Sequence, residues 1–412
     1  MNISSFIAQR IAFNQQKSFS RFIIRLSIVA TVISVAAMII TLSFVNGFDE
    51  VVSEKVFSFW GHVRVQYRQP QKAAIAEEIP IESNEFLVKR VKAFPQVKSI
   101  HPFATKYAIL KTNKDMDGVL LKGLDATYNF NHLSGFLQKG GRWLHFNDSS
   151  YAREIVISKY MADQLDLNLN DRVLIYFVRE DGSMRPDRLT VVGIYKTGID
   201  EYDKTFALGD MKLIRRLNSW QENEIGGYEI FLNEYSQMND VSNKIYKDDL
   251  FPQLWETKTV KEIYPNIFDW LRIIGYNGRI LIVIVTIIAI INFITCLIIL
   301  VLERVRMIGI LKALGATDWA IQKIFLHHSA LITITGIILG TAISLGLLWL
   351  QKETGFIKLK EAEYYMETAA VKILWWQVFA VAGGTLLLSI FILLIPSLLV
   401  KKIQPIKAIH FN

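Results

Sequence analysis

The sequence predicts an α-helical membrane protein with four transmembrane helices and a large α+β extracytoplasmic domain inserted between helices 1 and 2. Three observations predict it. The 412-residue chain is 51% hydrophobic yet 20% charged, too apolar for an ordinary soluble protein of this size and too charged for a bundle of spans alone. Four long stretches lack any Asp, Glu, Lys or Arg. The excess of positive charge lies in the short segments between and beyond those stretches.

The four stretches are Leu26–Val45, Ile280–Leu302, Ser329–Leu350 and Ile373–Val400. A helix rises 1.5 Å per residue, so about 20 residues cross a hydrocarbon core of ~30 Å, and each stretch meets that length. Ile280–Leu302 is apolar all round, which a core helix with a polar face is not. Leu26–Val45 exceeds the ~7–15 residues of a signal-peptide apolar region, and Asn46-Gly47-Phe48-Asp49-Glu50 follows it without a small-residue cleavage site. It reads as an uncleaved anchor.

The net charge is +8, and its distribution matters more than its size. Arg10, Lys17, Arg21 and Arg25 precede the first span. Arg304, Arg306, Lys312 and Lys323 stand against Glu303 and Asp318 between spans two and three, and Lys401, Lys402 and Lys407 follow span four. The loop between spans three and four is neutral, so the large domain is left with a charge close to zero. By the positive-inside rule the basic segments, and with them both termini, are cytoplasmic and the large domain is outside. A domain without positive excess also argues against a nucleic-acid role.

The organisation that follows is a cytoplasmic N-terminal segment (1–25), helix 1 (26–47), the outer domain (48–278), helix 2 (279–302), a cytoplasmic segment (303–325), helix 3 (326–350), a short external loop (351–372), helix 4 (373–400) and a cytoplasmic tail (401–412). Asn2–Phe19 has two open readings, an amphipathic interfacial helix or a flexible tail. Helical spacing of Phe44, Phe48, Val52, Val56 and Phe59 carries helix 1 past the hydrocarbon. In the outer domain, strands are expected at His62–Gln69, Ser99–Thr112, Gly118–Leu124, Glu154–Ser158, Val173–Val178, Leu189–Tyr195 and Tyr228–Leu232. Helices are expected at Asn84–Phe94, Lys159–Leu167, Asp210–Leu217, Met238–Tyr246 and Lys258–Leu271. Short strands interleaved with short helices make an α+β domain. The single cysteine, Cys296, lies inside span two, so the domain folds on its apolar core with no intrachain disulfide.

No residue pattern is catalytic. The chain has no G-x-x-x-x-G-K-[ST] loop to cradle phosphates, so it binds no ATP in the P-loop manner, and its seven histidines have no metal-ligand spacing. His327-His328 are adjacent and point apart on a helix. Neither a metal nor a cofactor is expected on this chain.

Several blocks of sequence, in order, resemble the permeases of the lipoprotein-releasing ABC transporter family (LolC/LolE type), within the wider MacB/FtsX-like group. They are Ser43-Phe44-Val45-Asn46-Gly47-Phe48, Gly141-Arg142-Trp143-Leu144, Glu154–Ser158, Leu165–Asp171, Val191–Gly198 with Glu201-Tyr202-Asp203, and Ile308–Thr317. The resemblance implies a dimeric transmembrane subunit, as homodimer or heterodimer with a second permease. It implies cytoplasmic ABC ATPase subunits that bind the ATP and Mg, a lipoprotein substrate drawn from membrane lipid, and a periplasmic lipoprotein carrier. It also places the chain in the cell inner membrane. Two alternatives stay open: a peptide or drug exporter of the MacB type, whose chains carry their own ATPase, and an FtsX-like chain that transmits ATPase motion to a cell-wall hydrolase.

Three sets of residues are candidates. A segment that presses on a moving ATPase needs an apolar stripe and a rigid backbone. Met307, Ile310, Leu311 and Leu314 lie at helical spacing among Glu303, Arg304, Arg306 and Lys312, and Gly315 permits a helix end that Thr317 or Asp318 can follow as cap. The resemblance makes this the ATPase-coupling helix; an interfacial connector with snorkelling basic residues is the alternative. Many relatives of the wider group have Glu where Met307 stands, so by the resemblance an acidic contact to the ATPase is either missing here or supplied by Glu303. The second set is the hairpin around Arg179, Met184 and Pro186, either a plain β-turn or, by the resemblance, a carrier-docking loop. The third is helix packing: Gly336 with Gly340, Gly383 with Gly384, and Asn292, the one amide in span two.

Overall fold

Apolar runs without helix breakers become long helices. A computed structural model describes residues 18–69, 77–147, 150–178 and 183–397. Most of the N-terminal segment Asn2–Phe19, Arg179 with the turn residues beside it, part of the loop Gln71–Pro80, the end of helix 4 and the basic tail lie outside the described residues.

In chain order the helices are α1 (Ser18–Trp60), α2 (Glu85–Lys92), α3 (Lys159–Leu165), α4 (Asp200–Asp203), α5 (Met211–Asn218), α6 (Met238–Tyr246), α7 (Val260–Ile263), α8 (Pro265–Glu303), α9 (Val305–Ala313), α10 (Asp318–Thr354), α11 (Glu361–Tyr364) and α12 (Trp375–Ser397). The strands are β1 (Val63–Tyr67), β2 (Ile81–Glu82), β3 (Val97–Lys111), β4 (Met116–Leu124), β5 (Glu154–Ser158), β6 (Arg172–Val178), β7 (Met184–Tyr195), β8 (Phe206–Asp210), β9 (Glu224–Ile225), β10 (Gly227–Leu232) and β11 (Trp255–Thr259). Among the described residues four helices, α1, α8, α10 and α12, are long and apolar enough to cross a membrane.

The chain divides into two compact units. One is drawn from Met1–Glu50, Trp270–Lys358 and Thr368–Asn412, the other from Val51–Asp269 and Leu359–Glu367. In the helical unit, Val35 and Ile39 of α1 pack with Leu348 of α10 and Val378 of α12, while Ala289 and Phe293 of α8 pack with Ile392 of α12. Asn46 Nδ2 donates to Gln377 Oε1 at 2.6 Å. A side chain at Gly47 would overlap the backbone of Ala370, so glycine there lets the two segments touch.

The second unit is a curled sheet of order β11-β1-β10-β3-β4-β8-β5-β7-β6. Strand β3, 15 residues long, joins the two parts of this sheet: its first half pairs with β10 and its second half with β4. Because β6 pairs both with β7 and with β3 at Ala108–Lys111, the strands β3, β4, β8, β5, β7 and β6 close into a ring. Large aromatic side chains fill the core. Trp60 meets Phe206 at 4.8 Å between ring centres and Phe59 stacks on Tyr202 at 4.9 Å. Asn84, Ser158 and Asp210 cap α2, α3 and α5 with side-chain oxygens that accept backbone N–H groups, so α3 starts at Lys159 as the sequence puts it and α2 and α5 start one residue later.

Three expectations are corrected, and strand β8 is not among those expected. Lys258–Leu271 is not one helix. Trp255–Thr259 pairs with β1, Thr259 forms a capping box with Glu262, and Pro265 opens α8 as a new helix. The Lys159 helix ends at Leu165 rather than Leu167, because Asp166 turns left-handed at φ 53°. The return strand begins at Met184 rather than Leu189, and Pro186 sits within it opposite Tyr176. The Met184–Leu189 stretch pairs with β6, while β5 joins β7 from Thr190 onward, so the proline occupies an edge position. Strand β8 carries no alternation in sequence because all five of its residues are buried.

Candidate functional site

The segment after α8 breaks at Arg304, whose backbone leaves helical geometry at φ −108°, ψ 17°. Helix α9 then runs to Ala313 and closes with Leu314 N donating to Ile310 O and Ala316 N to Leu311 O. Gly315 takes φ +89°, a conformation that a side chain disfavours, and the chain reverses there. Thr317 caps α10 by accepting from Ala320 N at 3.3 Å, and Lys312 Nζ lies 2.9 Å from Asp318 Oδ1 across the turn. The result is a short helix folded back on the first turns of α10.

What holds it is a small apolar cluster of Val301, Ile308, Ile321 and Phe325, with Met307, Leu311, Ala316 and Leu326 packed against it. This splits the expected stripe. Met307 and Leu311 face inward, whereas Ile310 is 54% and Leu314 79% exposed. The residue at the centre is Ile308, fully buried, which the spacing argument left out. Trp319, 53% exposed on the first turn of α10, is a third outward apolar side chain that the sequence reading missed. Its signal was a large aromatic two residues after the helix cap Thr317. Glu303 ends α8 half-buried, and Arg304 and Arg306 flank the start of α9. Helix α9 therefore buries one apolar face against α10 and leaves Ile310 and Leu314 on the opposite, exposed face.

The packing candidates divide. A Cβ on Gly336 would lie 2.7 Å from Thr31 Cβ, and one on Gly340 2.8 Å from Val32 O, so both glycines seat α10 against α1. Asn292 Oδ1 accepts from Ser27 Oγ at 3.2 Å and ties α8 to α1. Gly383 and Gly384 are both exposed, and a Cβ at either would meet nothing within 4 Å among the described residues. In the hairpin, Met184 and Pro186 are both exposed at the start of β7; Arg179 lies outside the described residues.

A family model of the MacB-like periplasmic core domain matches residues 26–245, and one of the FtsX-like permease C-terminal region matches residues 279–405. The lipoprotein-releasing system transmembrane protein LolE of Haemophilus influenzae is 25% identical over 430 aligned residues, covering 98% of this chain and 98% of that protein. LolC of the same organism is 25% identical over 404 residues, covering 96% and 95%. Two solved structures are also similar. The extracellular domain of the noncanonic ABC-type transporter YknZ from Gram-positive bacteria covers 48% of this chain and 98% of its own, with TM-score 0.32 and 15% identity. The periplasmic region of MacB from Actinobacillus actinomycetemcomitans covers 50% and 92%, with TM-score 0.34 and 12% identity.

Proposed function

Since the chain belongs to the lipoprotein-releasing ABC transporter permease family of LolC/LolE type, within the MacB/FtsX-like group, we propose that it extracts lipoproteins from the inner membrane and delivers them to a periplasmic carrier. A separate ATPase subunit supplies the energy. It docks on the outward residues Ile310 and Leu314 of the short helix α9, and its closure moves α10. A second permease, either another copy of this chain or a relative, completes the transporter. Both termini and α9 face the cytoplasm, and the β-rich unit faces the periplasm.

The observation that carries this reading is the near end-to-end likeness to LolE and LolC, which spans the helices and the inserted domain together. The folded-back α9 supports the coupling role, because its apolar residues are divided between a buried anchor and an exposed face. The test is to purify the chain with its ATPase subunit held in an ATP-bound, non-hydrolysing state and identify what co-purifies. Triacylated peptides are expected. Recovery of a cell-wall hydrolase with no lipid-modified species would replace this reading with the FtsX-like one. Depletion of the chain is expected to leave lipoproteins in the inner membrane.

A further inference from the structure

We propose that the turn Lys196-Thr197-Gly198, together with Lys55, is a socket that holds the loop between α10 and α12, and that Lys196 is the positioning residue through which movement of α10 reaches the outer domain. The inference rests on the reading of this chain as an ATP-driven permease. It begins from the block Val191–Gly198 with Glu201-Tyr202-Asp203, to which the coupling segment gives no role.

The turn is built before the loop arrives. The buried carboxylate of Asp203 accepts from Thr197 N at 3.0 Å, Thr197 Oγ1 at 2.8 Å and Gly198 N at 3.0 Å. Gly198 takes φ +74°, which favours glycine, and a Cβ there would overlap the Glu361 carboxylate and stand 2.9 Å from Lys55 Nζ. The missing side chain is therefore the space that Glu361 fills.

The loop is shaped to fit. Leu359 N donates to Glu367 O, and Tyr365 N to Glu361 O, which close Leu359–Glu367 around α11. Two lysines from different elements then grip it. Lys196, at the end of β7, reaches Glu361 at 2.5 Å and Glu367 at 2.8 Å. Lys55, on α1, donates to the carbonyl of Tyr365 at 2.7 Å. The paired carboxylates raise the Lys196 pKa, and Lys196 in turn lowers that of Glu367, so the ions stay charged. A lone exposed ion pair would hold a loop weakly. Here a steric seat at Gly198, a carbonyl contact and a doubly paired lysine act on one nine-residue segment, which is why that segment belongs to the same compact unit as the sheet.

The mechanical consequence follows from chain connection. Helix α10 begins at Asp318, beside the coupling segment, and runs unbroken for 37 residues to Thr354, about 55 Å at the helical rise. The chain enters the held segment at Leu359. Displacement of α10 is thereby delivered to the sheet at Lys196 as well as through the two covalent connections at α1 and α8. Without the socket the loop would absorb the movement as slack.

The test uses the complete complex with its ATPase subunit in lipid nanodiscs, comparing wild type, Lys196→Glu and the charge-swapped Lys196→Glu/Glu367→Lys. In Lys196→Glu, amide exchange in 359–367 is expected to rise about fivefold to tenfold. ATP hydrolysis stays near wild type, while the ATP-dependent change in outer-domain exchange and lipoprotein release each fall by about tenfold. The swap is expected to restore all three. Faster loop exchange with an unchanged ATP-dependent response overturns the inference and leaves the socket as packing; so does unchanged loop exchange. If wild type releases no lipoprotein although ATP still alters outer-domain exchange, the cargo reading fails, and the socket is still judged on that exchange.

Discussion

The ammonium of Lys122 donates to the carbonyl of Phe59 at 2.5 Å and lies 2.8 Å from a Glu229 carboxylate oxygen, with both charged side chains fully buried. Phe59 is the penultimate residue of α1, so the lysine caps the negative end of that helix inside the domain. Its charge also sits 4.1 Å from the Trp60 ring centre, and Arg64 covers the same ring at 3.9 Å. Lys122→Met leaves Glu229 and the Phe59 carbonyl unpaired and is expected to cost about 3–5 kcal/mol. Lys122→Met combined with Glu229→Leu removes both charges and is expected to recover most of that loss. Denaturant unfolding followed by tryptophan fluorescence measures both; additive losses in the double variant would show that the two residues do not act as a pair.

The outer unit should weaken in mild acid because of His101. Burial, helped by nearby His132 and Lys92, lowers its pKa to about 4. A group more easily protonated when unfolded stabilises the fold above its unfolded pKa of about 6.5, and that contribution fades as pH falls toward the folded value. Between pH 7 and pH 5 the share of His101 comes to roughly 2 kcal/mol. His101→Phe keeps a ring against Phe231 and Tyr128 and should flatten the pH dependence by that amount in parallel unfolding curves. An unchanged slope would remove His101 as the source.

Glycines in the spans should behave differently from one another. Gly340→Val forces a branched side chain into the Val32 backbone and is expected to cost roughly 1–3 kcal/mol as α10 is pushed from α1. Gly336→Leu should behave likewise. Gly384→Leu enters open space and should leave the thermal midpoint in detergent unchanged. Equal losses at Gly340 and Gly384 would show that close approach to α1 is not what Gly340 provides.

Helix α9 offers a separation of folding from the proposed coupling role. Ile308→Asp buries a charge in the Val301–Phe325 cluster and should unfold α9 locally, with low yield of the purified protein. Leu314→Glu changes an exposed side chain and should alter stability by less than about 0.5 kcal/mol. It is nevertheless expected to weaken recovery of the ATPase subunit in a pull-down and to cut release of lipoprotein. A Leu314→Glu chain that retains its ATPase at wild-type levels would move the contact elsewhere, with Ile310 and Trp319 the next positions to change.

Much of this molecule was legible because the signal was local. Uncharged length gave the four long helices, and alternation gave β1, β3 and β6 within a residue or two. Turn chemistry gave the reversal at Gly315 and the cap at Thr317. Within the coupling segment, spacing placed Met307, Ile310, Leu311 and Leu314 on a helix but could not say which faced inward. That division depends on Ile321 and Phe325, which reach the segment only after the chain turns back.

By itself the sequence determined where the chain is apolar enough to cross a membrane and where an α+β domain interrupts it, since hydropathy and periodicity are properties of neighbouring residues. Tertiary structure alone decided the pairing of Lys122 with Glu229, 107 positions apart, the closure of β6 onto β3, and the seating of Glu361 over Gly198. A lysine in an apolar strand, a glycine in a turn and a glutamate in a neutral loop carry no local sign of one another. Their relation exists only once burial removes water from the charges and leaves each other as the remaining partners.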